Sequence, residues 1–426
     1  MSFVLRVGAN FFPLTSLSFV KNSLLLELLL QLRLLRIVRP EIIVLHPILS
    51  IDTTDHSLNP LIVIEMYGIL SPHDDLEWVD DRPAVFALWA AEGEPYLAKT
   101  NFLRRRLRRL LGDSRWASLR GVAQRVEYWP TGSRLGANLL YYTLAREYFP
   151  DSYVERIKLR YPAYVRLVSN NAFPRTTITT RFTGADSLFY GPFRSRAAAE
   201  ELEGQFLDLF QIRRCQEDLV PSPDHPGCIY GEMNMCLRPC QELVGEAEYA
   251  TEVARVREFL TSDGQSLLLT IERARDRASE DMDFEEAARQ HRRLEKVQQV
   301  LRLRDEMVRD AAQLCGVAVN KAIVPGAVEL RFFLNGQWLP AVNFRLDGAG
   351  MSMDGRLREL AAKLEVEGRM TLARRQEHLA LLARWYYSSW RDGEWLGFAQ
   401  LSELPYRKLV RAISRVAGQE QTAFSF

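Results

Sequence analysis

Four of the chain's five cysteines, Cys215, Cys228, Cys236 and Cys240, fall within 26 consecutive positions. Twelve, seven and three residues separate them in turn. Thiolates are soft ligands, and four on one short stretch are enough to hold zinc or an iron–sulfur cluster. No paired Cys-x-x-Cys knuckle of the usual structural zinc site is present. The same stretch carries Pro221, Pro223, Pro226, Gly227, Gly231 and Pro239, so it reads as an irregular loop that needs something to fold around. His225 is a further candidate ligand, and four free thiols packed as small hydrophobes are the plain alternative.

A second chemistry lies upstream, in a run of arginines. Residues 101–125 hold eight Arg against one Asp, and Arg104, Arg105, Arg106, Arg108 and Arg109 sit almost side by side. Such a face could track phosphates, or it could simply be solvated. Just before it, residues 66–82 hold five acids, Asp74, Asp75, Glu77, Asp80 and Asp81, against one Arg. The 426 residues as a whole carry 55 Lys+Arg and 54 Asp+Glu, so the chain is no general basic coat and any nucleic-acid surface must be local.

The elements expected to position these residues are mixed. Strands are predicted at Ala84–Ala90, Pro95–Ala98 and Arg125–Trp129, with a helix at Phe102–Leu111 carrying the Arg face and another at Leu135–Tyr148. Tyr164–Leu167 and Thr176–Arg181 read as further strands, and Arg196–Phe210 as an amphipathic helix leading to Cys215. A helix at Glu246–Leu260 precedes a helical hairpin with arms Ser266–Glu280 and Phe284–Arg309, the second opened by Asp283 and Glu286 at capping-box spacing. Phe284, Ala287, Ala288, His291, Leu294, Val297 and Leu301 form one apolar stripe along it. Val328–Leu334 and Gln337–Phe344 flank Asn335-Gly336, a two-residue hairpin signal, and helices are expected at Arg356–Glu367 and Arg374–Trp390.

With 47% hydrophobic and 26% charged residues, the composition is that of a globular α+β multidomain chain. The expected divisions are 1–65, 66–168, 169–245, 246–312 and 313–426. Met66 opens a change of composition, so 1–65 is expected to be an over-long start without assigned function. Its leucine-rich Leu24–Leu35 is interrupted by Glu27, Gln31 and Arg33, which suits a buried helix, followed by a short strand at Ile42–Leu45, better than a membrane span. No secretory leader is visible, and a cytoplasmic setting without membrane contact is expected.

Phe189-Tyr190-Gly191-Pro192-Phe193, Arg214-Cys215, Cys228-Ile229-Tyr230 and Cys236-Leu237-Arg238-Pro239-Cys240 together resemble the central part of the UvrC family, nuclease subunits of bacterial nucleotide excision repair. Asp283-Phe284-Glu285-Glu286-Ala287-Ala288-Arg289 resembles that family's UVR motif, a helical hairpin that docks on UvrB. The resemblance implies a 4Fe–4S cluster on Cys215, Cys228, Cys236 and Cys240, with zinc as the alternative, and a partner surface at Phe284, Ala287, Ala288 and His291.

Further upstream, the frame of a GIY-YIG endonuclease domain is visible. Ala84-Val85-Phe86 stands at the first tripeptide and Tyr96-Leu97-Ala98 at the second. Lys99 follows, Arg106 falls at the catalytic arginine, and Tyr161–Val165 resembles the strand that closes the domain. Two departures matter chemically. Phe86 has no hydroxyl where the family uses a tyrosine, and Tyr141 stands at the metal-binding glutamate, with Glu147 nearly two helical turns away. A phenol is no magnesium ligand at neutral pH.

Tyr96 and Arg106 therefore remain as a catalytic remnant, Lys99, Arg104, Arg105, Arg108 and Arg109 as DNA-binding candidates, and Mg²⁺ is needed only if the site cuts. Members continue into an RNase H-like half and helix-hairpin-helix motifs, which 345–426 is not expected to supply. Three functions stay open: a DNA- and UvrB-binding protein with an impaired nuclease site, an active excision endonuclease using a substitute carboxylate, and a metal-stabilised interaction scaffold that does not cut.

Overall fold

The computed structural model describes residues 3–7, 10–14, 68–112, 119–169, 171–184, 187–348, 350–365, 368 and 370–423. The helix and strand expected at Leu24–Leu35 and Ile42–Leu45 lie outside them. The chain divides into residues 1–58 and 59–426. Within the first unit, β1 (Phe3–Val7) and β2 (Asn10–Leu14) form an antiparallel ribbon. Everything below belongs to the second.

The arginine run is positioned by an antiparallel sheet ordered β3-β6-β4-β5, made of β3 (Gly68–Leu70), β4 (Ala84–Ala90), β5 (Tyr96–Thr100) and β6 (Ala123–Pro130). Helix α1 (Leu103–Leu111) buries Leu103, Leu107 and Leu111, a strict four-residue spacing that turns one face to the sheet and leaves its arginines outward. Helix α2 (Arg134–Tyr148) is N-capped by Ser133, whose side chain accepts from the Gly136 amide.

A second antiparallel sheet follows. It is built from β7 (Ala163–Val168), β8 (Arg175–Thr179), β9 (Leu188–Phe193) and, much later, β10 (Arg309–Asp310), in the order β10-β9-β7-β8. The strand expected to close the first domain is β7, and it hydrogen-bonds instead to β8 and β9. Gly191 lets β9 pass against Tyr164, because a Cβ there would lie 2.6 Å from that ring. Helix α3 (Arg196–Leu207), helix α4 (Glu246–Thr261) and the hairpin arms α5 (Gln265–Glu280) and α6 (Phe284–Arg302) share this sheet's core through Phe206, Phe259, Leu294 and Val297. Helix α6 stops seven residues before the expected Arg309, because Arg309 and Asp310 pair with Gly191 and Tyr190.

The third sheet holds β11 (Cys315–Lys321), β12 (Ala327–Leu334), β13 (Gln337–Trp338), β14 (Val342–Arg345) and β15 (Glu394–Phe398). Asn335 (φ +51°) and Gly336 (φ +81°) make the left-handed pair that a tight hairpin needs. The single strand expected at Gln337–Phe344 is broken in two around Pro340, which has no N–H to donate. Helices α7 (Met353–Ala362) and α9 (Tyr406–Ala423) cover the sheet. Helix α8 (Leu372–Tyr386) instead packs back onto α2 in one shared core. There Glu377 accepts hydrogen bonds from Tyr142 (2.5 Å) and Tyr153 (2.6 Å). Among the described residues, no helix is long and apolar enough to cross a membrane.

Candidate functional sites

Antiparallel pairing of β4 and β5 sets Phe86 opposite Ala98 and Leu88 opposite Tyr96. Phe86 is fully buried, while Tyr96 is 45% exposed and its hydroxyl accepts from Arg106 Nη2 at 3.3 Å. Lys99 donates to Asn138 Oδ1 on α2 and lies 5.6 Å from the Tyr141 ring centroid. Burial, and secondarily the charge of Arg384, lower the Lys99 pKa to about 8. Burial raises that of Tyr141, with the nearby Tyr96 adding to the effect and Arg156 and Arg384 opposing it. The structure thus brings Tyr96, Lys99, Arg106 and Tyr141 together. Among the described residues, no carboxylate contacts any of the four. Glu147 is exposed on α2 and acts on Tyr148 instead.

The rest of the Arg run behaves differently. Arg104 donates to the Glu77 carbonyl at 3.0 Å, and Arg108 is ion-paired to the Glu77 carboxylate. Asp81 accepts the Arg105 amide at 3.1 Å and lies 3.7 Å from its guanidinium. Acids of the preceding segment therefore lie along the basic helix and answer part of its charge, at Arg104, Arg105 and Arg108. Arg109 is exposed on the same helix. Sequence reasoning missed Asn138 and Arg384, which reach this site from α2 and α8; Arg384 lies far from it in the chain, and no local motif marks it.

The cysteine loop is laid out by short-range hydrogen bonds. Ser222 N donates to Cys240 O (2.9 Å), Arg238 Nε to Gly231 O (2.7 Å), and Gln241 Nε2 to His225 O (3.1 Å). Cys236 and Cys240 are buried, Cys215 is half-buried and Cys228 exposed. Burial, and then the other three thiols, push Cys236 up to about 11; burial and its thiol neighbours also raise Cys240. The four thiols thus lie within electrostatic reach of one another, although no three His, Cys, Asp or Glu among the described residues are gathered tightly enough to grip a metal as they stand. Sulfur-directed donors are in place, with Arg238 N 3.4 Å from Cys236 Sγ and Arg213 Nη1 3.5 Å from Cys215 Sγ, as a thiolate site requires. His225 Nδ1 accepts from Gly227 N at 3.0 Å.

At the hairpin, Asp283 Oδ1 accepts the Glu286 amide at 3.0 Å, which starts α6 as its spacing foretold. Of the expected apolar stripe, Leu294 and Val297 are buried, Leu301 is half-buried and Phe284 (71%) is exposed. Neighbouring residues follow the same division: Val300 is buried against the body, whereas Met282 (76%) stands exposed at the tip, with Ala288 and His291 also exposed and Ala287 partly so.

Residues 163–259 match the family model for the UvrC/Cho excinuclease middle domain, a span that holds β7–β9, α3 and the whole cysteine loop. The UvrABC system protein C of Clostridium perfringens is 25% identical over 222 residues, half of this chain and 36% of that protein. The proteins of the same name from Alcanivorax borkumensis and Salmonella heidelberg are each 28% identical, over 49% and 53% of this chain. This chain is UvrC-like. It spans little more than a third of the length of these curated relatives. No solved structure matches it.

Proposed function

We propose that this UvrC-like chain acts in nucleotide excision repair by binding DNA and a UvrB-type partner, and that its GIY-YIG-like site grips phosphate without efficient cleavage. One observation carries the reading: Tyr96, Lys99, Arg106 and Tyr141 meet with two cations and, among the described residues, no carboxylate. Phosphodiester hydrolysis of this type needs a divalent metal held by hard oxygens and an activated water. Phe86 and Tyr141 supply neither, whereas Lys99 and Arg106 still answer a phosphate's charge. The exposed hairpin tip at Phe284, Ala287, Ala288 and His291 supports the partner assignment. The donor set of Cys215, Cys228, Cys236 and Cys240 suits a 4Fe–4S cluster, with zinc as the alternative, which when bound would supply electron-transfer capacity or a fixed knot for the loop.

The test is to mix the purified chain with Mg²⁺ or Mn²⁺, a lesion-bearing duplex and a UvrB-type partner, with Arg106→Ala as control. Binding without nicking is expected, weakened by Arg106→Ala. Nicking that disappears in Arg106→Ala would establish the enzyme with a substitute carboxylate. Partner binding with no DNA affinity at physiological salt would leave only the scaffold.

A further inference from the structure

The most deeply buried charge beside the cysteine loop is Arg213, 1% exposed and two residues before Cys215. Its backbone N–H donates to the Tyr249 hydroxyl at 2.8 Å. Nε donates to Phe173 O at 2.9 Å, and Nη1 to Glu217 O at 2.9 Å and towards Cys215 Sγ at 3.5 Å. Nη2 is buried without any partner. Among the described residues, no carboxylate comes within ion-pair distance of it. Tyr249, which is buried against it, feels the charges of both Arg213 and the thiols Cys236 and Cys215, so guanidinium and cysteines occupy one electrostatic neighbourhood.

A guanidinium stays protonated at any physiological pH, and burying it without a counter-charge is strongly unfavourable. Carbonyl oxygens satisfy some of its protons and none of its charge. Neutral thiols would leave that charge unanswered, whereas thiolates would answer it. Metal ligation deprotonates thiols. Four thiolates around a zinc ion or an oxidised four-iron core sum to a net dianion. The unanswered cation and the latent anion then lie side by side.

Resting on the metal-site reading above, we infer that Arg213 is the fixed counter-charge of the four-cysteine site, a positioning residue whose buried guanidinium favours the loaded, anionic state over the empty, neutral one. Arg213 ligates nothing, so its role is distinct from that of the cysteines. A merely structural arginine would matter equally with or without metal, because its bonds to the Phe173 and Glu217 carbonyls do not involve the cysteines.

The experiment uses the full chain, purified anaerobically, with iron, sulfide and zinc measured per chain. Wild type, Arg213→Gln, Arg213→Lys and Cys228→Ser are compared by chelator competition and by thermal melting, each with and without metal. Cys228 is exposed, so Cys228→Ser reports loss of a ligand without disturbing the core. Arg213→Gln is expected to lose metal affinity by about tenfold or more, the range seen when groups around a metal's ligands are altered, while Arg213→Lys loses much less. Melting of the metal-free protein should fall less in Arg213→Gln than melting of the loaded protein. If the Gln variant loads too poorly to melt in the loaded form, the Lys variant carries that comparison, keeping the charge and losing the fork. Equal chelator resistance in wild type and Arg213→Gln, or equal melting losses in both forms, would overturn the inference. A wild-type chain with neither iron nor zinc would instead remove the metal reading itself, and the inference with it.

Discussion

Glu77 is the acid that most directly silences the arginine helix, and its removal has a calculable effect on DNA binding. Its side chain is 67% exposed, it is ion-paired to Arg108, and its carboxylate lies 3.9 Å from Arg104. Exposed pairs of this kind contribute only about 0–1 kcal/mol to stability, so Glu77→Gln should fold normally. It frees two guanidinium groups on the outward face of α1. If both then meet phosphates, the slope of log K against log salt steepens by up to about 1.8, at roughly 0.9 per neutralised phosphate. Between 50 and 200 mM salt, a slope change of about 1.8 corresponds to roughly a tenfold greater loss of affinity in the variant than in wild type. Fluorescence anisotropy of a labelled duplex, titrated with protein at several salt concentrations, measures both slopes. Identical slopes would refute the placement of this helix on DNA.

Three other outcomes are expected. Phe284→Ser should abolish capture of a UvrB-type partner in a pull-down while changing stability by less than about 0.5 kcal/mol, because Phe284 is 71% exposed and away from the core. The contribution of Lys99 to DNA affinity should fade as pH rises through about 8, so wild type and Lys99→Gln should converge in anisotropy titrations above that pH. Its folded pKa lies below the unfolded value of 10.5, so at Lys99 the unfolded chain binds more protons in between, and the stability of wild type relative to Lys99→Gln in urea unfolding should rise with pH from about 8 to 10.5. Glu377→Ala strands the buried hydroxyl of Tyr142 and that of Tyr153, and should destabilise the protein by about 2–4 kcal/mol in urea unfolding.

The sequence was most legible where local chemistry settles the backbone. Ser133 and Asp283 cap helices where side-chain oxygens can take up free amides, and Asn335-Gly336 turns a hairpin because both residues accept left-handed angles. Strand β9 was seen only as a motif, since Gly191-Pro192 argues against a strand by propensity, and burial of the whole segment overrides that. Strand β15 was missed in a stretch that otherwise reads as helical; its place comes from pairing with β11, far upstream. The pairing of Glu77 and Asp81 with α1 could not be read from two oppositely charged runs, because composition gives the charges and only the fold decides whether they meet. The same holds for Arg384 and Arg213, each an arginine among many until burial and neighbours single it out.

The contact between α2 and α8 shapes how the chain comes apart. More than two hundred residues lie between these helices, among them the cysteine loop and the α5–α6 hairpin, and the contact ties both ends of that excursion together through Glu377, Tyr142 and Tyr153. Closing so long a loop costs little more entropy than closing a shorter one, because the closure cost grows only logarithmically with length, by about 0.6 kcal/mol per doubling. The middle module is thus an insertion held in a clasp rather than a bead on a string. A protease nick within it should leave the two flanking pieces associated, and a truncation after α2 would strip the first sheet's helix of the wall that buries it.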